Sequence, residues 1–333
     1  MSKVVLITGS TGFLGGYTVE EFLSNGYEVI ALGRNAERGA ELEKMGARFV
    51  KCDLGDVDKL REVCHGVDAV VHVGAKSTVW GRWEDFENAN IIGTENVLCA
   101  AIACGVQKFV YVSSPSVYSG DSDRFDIKEE EFDRNNDLNF YIRSKILSEE
   151  MLHEKAAGKI KYNIIRPRGL VGVGDTSIIP RLIRTNGKIG VPLLNGGKNL
   201  VDMTSVENVA YALRLAVEAD DESGSVYNIT NGDPRVFSEI LEELFRNLGV
   251  KPRYLKINYR LMYSIASALE KWYRFRKEYE SEPALTRYTV CTLGHSQTLD
   301  ISRAREALGY SPKVTLNETI KKYAEHYNEH SKD

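Results

Sequence analysis

The sequence has no long apolar run, no excess of charge of one sign and few cysteines, and each shortage removes a class of protein. No stretch reaches the length of a membrane span, and the chain enters an apolar run at Val4 with neither a cationic leader nor a small-residue cleavage site. A cytoplasmic location is expected. Lys and Arg number 43 against 47 Asp and Glu, a net charge of -4, so no basic field exists to draw nucleic acid, and no nucleic-acid partner is expected. Cys52, Cys64, Cys99, Cys104 and Cys291 are odd in number and without close pairing, which fits small buried thiols rather than a disulfide framework. The histidines are scattered, His326 and His330 being read as solvated, and no metal site is expected.

What is present begins with Val4 to Thr8, a short β run that ends in Gly9-Ser-Thr11-Gly12-Phe13-Leu14-Gly15. An amphipathic helix follows to about Asn25, and a second apolar run spans Tyr27 to Leu32. Strand, glycine loop, helix and strand together form the context that turns spaced glycines into a dinucleotide-binding fingerprint. Gly9 allows the tight turn, Gly12 lets the backbone approach a pyrophosphate, and Gly15 lets the helix lie close on the strand. The phosphates would rest on the helix N-terminal N–H groups. The second strand ends in Leu32-Gly33-Arg34, where an NAD-binding unit carries a carboxylate for the ribose 2′-hydroxyl. Arg34 offers instead a forked cation suited to a phosphate, with Arg38 one turn further on. NADP is therefore expected in preference to NAD.

The alternation continues through Phe49 to Leu54, a helix over 57–64, a strand over 69–73, a helix over 90–104, and strands from Phe109 to Ser113 and from Ile164 to Arg166. This is α/β construction, a Rossmann-type doubly wound parallel sheet with a smaller mixed α/β C-terminal lobe for substrate. At the end of its strand Asp53, followed by Leu54, suits either the adenine amino group or a helix N-cap. Thr204 and Glu207 have capping-box spacing before a helix, and the strand Val226 to Thr230 follows, both expected to return to the main sheet. Residues 1–168 and 201–232 are accordingly assigned to the cofactor domain, and 169–200 with 233–333 to the substrate lobe.

Tyr141 and Lys145 lie one helical turn apart, so both side chains project from one face. A free phenol has a pKa of about 10, too high for ready proton transfer at neutral pH, and a neighbouring ammonium lowers it. Lys145 is expected to act so on Tyr141, and its remaining donors suit ribose hydroxyls. Ser114, at the end of the Phe109 strand, is placed to donate to a substrate oxygen. Glycine loop, serine strand end and Tyr/Lys helix occur in the order that one cofactor site needs.

Through Thr8 to Gly15, Asp53-Leu54, Asn90-Ile-Ile-Gly93-Thr94, Ser113-Ser114, Tyr141-Ile-Arg-Ser-Lys145, Arg166-Pro167 and Asp202-Met203, the chain resembles the extended short-chain dehydrogenases/reductases of the epimerase/dehydratase family over essentially its whole length. The resemblance selects Ser114 over Ser113 and Ser116, and puts Gly74, Ala75, Lys76 and Pro167 beside the cofactor. The segments Trp80 to Phe86 and Glu282 to Asp300 resemble the 3β-hydroxysteroid dehydrogenase-like and 2-alkyl-3-ketoalkanoate reductase branch. That implies a 3-keto or 3-hydroxy group on a bulky apolar substrate. Arg168, Ser119 and Gly172 to Asp175 depart from the pattern on the substrate side. A homodimer is also implied.

The competing reading is a nucleotide-sugar epimerase or dehydratase using the same Ser/Tyr/Lys site, since a fold does not fix a reaction. A non-catalytic NADP-sensing protein is the third, opposed by the intact trio. The apolar segment 261–275, flanked by Lys271, Arg274, Arg276 and Lys277, is open to three readings: core, lid over an apolar pocket, or interfacial helix with at most weak membrane contact.

Overall fold

Short runs of Val, Ile and Leu without polar alternation form a parallel sheet, as strands buried on both faces must. The computed structural model describes residues 2–330. The sheet comprises β1 (Val4–Thr8), β2 (Glu28–Gly33), β3 (Arg48–Lys51), β4 (Ala69–His72), β5 (Lys108–Val112), β6 (Lys161–Pro167) and β7 (Ser225–Ile229). Its spatial order is β7-β6-β5-β4-β1-β2-β3, every pair parallel. The chain thus reverses its direction of travel between β1 and β4, and open α/β sheets bind ligands at such a switch point, outside the strand C-termini.

Helix α1 (Phe13–Ser24) follows β1, α2 (Ala36–Lys44) follows β2, and α3 (Val57–Cys64) follows β3. The helix α4 (Gly93–Ala103) is entered through a single turn at Trp83–Phe86 and a π-helical stretch at Glu87–Ile92. Helix α5 (Phe140–Ala156) starts at Asn139, whose side chain accepts the Ile142 N–H at 2.8 Å. One face of the sheet is covered by α1 with α7 (Val206–Glu218), packing Leu14, Val19, Phe22, Val209 and Leu213 on the strands. The opposite face is covered by α3, α4 and α5 through Leu60, Val97, Leu98 and Leu152.

A second core gathers α6 (Ile178–Lys188), α8 (Phe237–Leu248) and the C-terminal helix Leu316–His330 around Leu182, Leu241, Phe245 and Ile320. Beside it a four-stranded sheet pairs Arg235–Val236, Leu200–Val201, Gln297–Leu299 and Arg124–Ile127. Two segments cross the boundaries read from the sequence. Arg124–Ile127 leaves the first 168 residues to join this small sheet, and Ser302–Leu308 packs Ala304 and Leu308 into the core of the main one.

Other expectations also need correcting. Thr204 forms no capping box: it lies in a strand pair with Leu170, and its hydroxyl donates to the Arg168 carbonyl, leaving Ser205 at the N-cap of α7. Cys99 is exposed and Cys104 half-buried, because α4 turns Val97, Leu98, Ala100 and Ala101 inward instead. Helix α9 (Tyr259–Phe275) is not plain core. It buries Met262, Ala266 and Glu270 but exposes Leu261, Ile265, Trp272 and, at 86 %, Phe275. Among the described residues no helix is long and apolar enough to cross a membrane.

One buried ion pair joins α5 to the sheet. Arg166 in β6 donates from Nε to Glu149 of α5 at 2.9 Å and through a second nitrogen to the other carboxylate oxygen, both side chains almost fully buried. Ser113 donates to the same carboxylate, and Arg166 also donates to the Glu129 carbonyl at 2.7 Å. Removing one member of a buried pair costs about 3–5 kcal/mol, because the other charge is stranded, whereas replacing both is far less costly. Glu149→Leu is expected to lose stability of that order, and the Glu149→Leu/Arg166→Met double variant to recover most of it. Urea unfolding of the three proteins checks this; a double variant as unstable as the single would put the loss in packing rather than charge.

Candidate active site

The loop after β1 fits a dinucleotide through its backbone. Gly9 has φ +65°, and a Cβ there would lie 2.6 Å from the Gly74 Cα, so strand ends β1 and β4 touch. A Cβ on Gly15 would lie 2.1 Å from the Gly9 carbonyl oxygen, so α1 sits directly on the loop. Unlike α2, α3 and α5, helix α1 has no side-chain cap and no acid in its first turn. Its first N–H groups are left for an anion. The buried Ser10 hydroxyl in this loop also has no partner within the protein. Thr11 packs against Gly33 at the end of β2, Leu14 is buried, and Phe13 turns toward Gly172 and Gly174. These residues fit an NAD(P) pyrophosphate.

At the adenosine end, Arg34 and Asp53 face each other across β2 and β3, Nη1 to Oδ2 at 3.8 Å, and both are largely exposed. Asp53 is not a helix cap: Asp56 caps α3 by accepting the Lys59 N–H at 3.1 Å, while Asp53 accepts the Gly55 N–H at 2.9 Å. Arg38 is tied to Glu41 at 2.6 Å. Leu54 packs against Gly74 and Gly93.

The loop after β4 is held by groups to which the sequence reading gave no role. Asn90, in the π-helical stretch, accepts the Lys76 N–H at 2.7 Å and donates to the Lys76 carbonyl at 3.0 Å and to Ser144 of α5 at 2.8 Å. It therefore fixes Gly74, Ala75 and Lys76 against the helix that carries Tyr141. The signal was the unusual Asn90-to-Thr94 string, and the irregular turn that aims Asn90 is of a kind that recurs at functional sites. His72 is a buried strut, its two nitrogens meeting Thr8 at 2.7 Å and Thr94 at 2.9 Å; burial first, and Lys145 after it, bring its pKa down to about 3.

Ser114, Tyr141 and Lys145 converge at the C-terminal ends of β5 and β6. The Ser114 hydroxyl faces the Tyr141 phenol and accepts the Ser116 N–H at 3.2 Å. Lys145 is buried and donates to the Val112 carbonyl at 2.9 Å and the Tyr111 hydroxyl at 3.2 Å. Pro167 closes β6 beside them. The expected lowering of the phenol pKa is not found. Burial pushes Tyr141 up to about 12, with Ser114 opposing, and burial pushes Lys145 down to about 7, with Glu149 opposing. In a dry site desolvation outweighs the attraction between groups whose ammonium is turned to β5. The phenol is thereby kept as a proton donor.

The profile of the NAD dependent epimerase/dehydratase family matches residues 5–230. The chain belongs to this family. The chain is 39% identical over 336 residues to the uncharacterized protein YbjS of Escherichia coli (strain K12), covering 98% of each. It is 31% identical to a 2-alkyl-3-oxoalkanoate reductase of Shewanella oneidensis, covering 95% of this chain and 84% of that one. The fold superposes with a TM-score of 0.80 on the UDP-glucose-4-epimerase of Stenotrophomonas maltophila with bound NAD, at 19% identity and 99% coverage of both chains. As a member of the epimerase/dehydratase family the protein is an NAD(P)-dependent enzyme acting on CH–OH or C=O groups.

Tyr141→Phe is expected to lower kcat by about 10²–10⁴-fold while leaving cofactor affinity unchanged, since it removes only the proton. With the phenol near 12 it stays protonated from pH 7 to 10, so reduction of a ketone should not rise over that range and should fall only as the Lys145 ammonium is lost above about 7. Oxidation of the alcohol, which needs the phenolate, should climb about tenfold per pH unit over the same range. Steady-state rates in both directions check this; parallel profiles would contradict the assignment of Tyr141.

Proposed function

We propose that the protein is an NADP-dependent oxidoreductase that interconverts a 3-oxo and a 3-hydroxy group on a bulky apolar substrate. The observation that carries this is the convergence of Ser114, Tyr141 and Lys145 at the strand ends behind the glycine loop, in a chain similar to a 2-alkyl-3-oxoalkanoate reductase. When bound, the cofactor supplies the hydride that reaches the carbonyl carbon. Ser114 donates to the carbonyl oxygen and orients it, and Tyr141 gives that oxygen its proton. The negative charge then left on Tyr141 draws Lys145 toward its charged form, so that ammonium and phenolate stabilise each other. Run in reverse, Tyr141 is the base.

The substrate class is supported by the reductase relative, whose name specifies a 2-alkyl-3-oxoalkanoate. Trp80, Phe86, Phe140 and Tyr279 come together at the N-terminus of α5 with Glu270 and Arg274 of α9, and Arg274 lies over Trp80 and Phe140, so these side chains pack almost without a gap. Arg34, with no acid at the end of β2, supports NADP. The NAD in the structurally similar epimerase speaks for the other cofactor, but at that identity the likeness concerns the fold alone.

Absorbance at 340 nm tests the reading with NADPH or NADH against 2-alkyl-3-oxo acids, 3-ketosteroids, simple ketones and nucleotide sugars. Oxidation of NADPH by an apolar ketone is expected. Arg34→Ala should raise KM for NADPH about 10- to 100-fold, the worth of hydrogen bonds to a charged group, and leave NADH almost unchanged. A nucleotide sugar converted with no net cofactor oxidation would replace the reductase by an epimerase. Faster turnover with NADH by the unaltered protein would overturn the NADP assignment.

A further inference from the structure

Four cations are buried in the described residues: Lys108, Lys145, Arg166 and Arg168. Lys108 has Asp221 at 2.8 Å, Arg166 has Glu149, and Lys145 has the Val112 carbonyl and the Tyr111 hydroxyl. Arg168 has no such partner. Its residue is 6 % exposed, yet its guanidinium makes no side-chain hydrogen bond and no ion pair. The nearest acid, Asp202, accepts the Leu299 N–H at 2.8 Å and stays beyond ion-pair distance. An arginine remains charged at any working pH, and a largely buried guanidinium with no ion-pair partner, its nitrogens still touching solvent, is placed to take an anion.

The backbone holds this side chain in place from both sides. The Arg168 N–H donates to the Ile229 carbonyl at 3.0 Å, its carbonyl accepts the Thr204 hydroxyl, and Gly169, at φ +55°, carries the chain into a pair with Thr204. Register sets its level relative to the chemistry. Val112 stands opposite Ile165, which brings Ser114 level with Pro167 and leaves Arg168 one residue beyond, on the ligand side of the strand ends. Tyr288 of α10 (Arg287–Gly294) closes the triangle: it packs with Ile142 and Ile146 of α5 and lies near enough to act on both Tyr141 and Arg168.

We propose that Arg168 is the carboxylate-binding residue of the substrate pocket and that the substrate is accordingly a 3-oxo acid rather than a neutral ketone. The proposal rests on the ketone-reductase reading and deepens it. A guanidinium fork matches a carboxylate with two parallel hydrogen bonds. In a 3-oxo acid one carbon separates the carboxylate from the carbonyl. Ser114 and Tyr141 take the oxygen, and Arg168 takes the acid.

The test uses a stable 2-alkyl-3-hydroxy acid and its methyl ester, each oxidised with NADP+ by the unaltered protein, Arg168→Met and Arg168→Lys. Thermal unfolding is followed with and without the acid. The unaltered protein is expected to prefer the acid, and Arg168→Met to lose about 10- to 150-fold in kcat/KM for the acid, mostly in KM, with the ester changed less than about threefold. Arg168→Lys should recover part of the loss. The acid should raise the unfolding temperature of the unaltered protein and not that of Arg168→Met, which itself should unfold no earlier, having shed an unpaired charge. Equal use of acid and ester, or equal losses on both, would overturn the carboxylate site while leaving the reductase standing. No turnover of either compound with NADP+ or NAD+ would overturn the reductase reading and the site with it.

Discussion

The bidentate contact between Glu149 and Arg166 is the joint on which the site depends. It ties the middle of α5 to β6, and through Ser113 it reaches the end of β5. Those three elements deliver Tyr141 and Lys145, Pro167 and Arg168, and Ser114. Backbone pairing aligns β5 with β6, but α5 is held to both of them by side chains. A buried pair satisfied on every oxygen fixes position in a way apolar packing does not, because a small shift leaves a charge unmatched. Asn90 does the same at shorter range, linking the loop after β4 to Ser144.

The dryness that makes this joint strong also sets the chemistry above it. The burial that raises Tyr141 toward 12 lowers Lys145 toward 7, and it leaves Arg168 charged without a partner. A neutral acid, a cation near its titration point and a permanent cation stand around one cleft. All three are arranged to receive negative charge, first on the ligand and then on the Tyr141 oxygen. That is the electrostatic pattern of a site that stabilises negative charge on a reacting oxygen.

The glycine loop was legible because its glycines are demanded by contacts between backbones, and such contacts leave a fixed spacing. The Tyr141/Lys145 pair was legible for a similar reason, one helical turn. The sign of the phenol shift was not, since it depends on how completely the folded chain, Tyr288 of α10 included, buries the phenol, which no local pattern records. Asp53 and Asp56 were indistinguishable as caps by composition, and only the start of α3 separates them. Helix α9 reads as apolar all along, but its stripe of Leu261, Ile265 and Trp272 faces outward while Glu270 turns in to hold Arg287. Sequence spacing assigns residues to a face, and the neighbours decide which face is covered.

The claim that joins these features is that the cleft passes a hydride to a ketone while Tyr141 protonates its oxygen. Incubating the protein with NADPH deuterated at the transferring position and a 2-alkyl-3-oxo acid, then measuring the product by mass spectrometry, tests it directly. The account predicts one deuterium on the carbinol carbon for each cofactor oxidised. Product without the label, or a nucleotide sugar epimerised while the cofactor stays reduced, would contradict it.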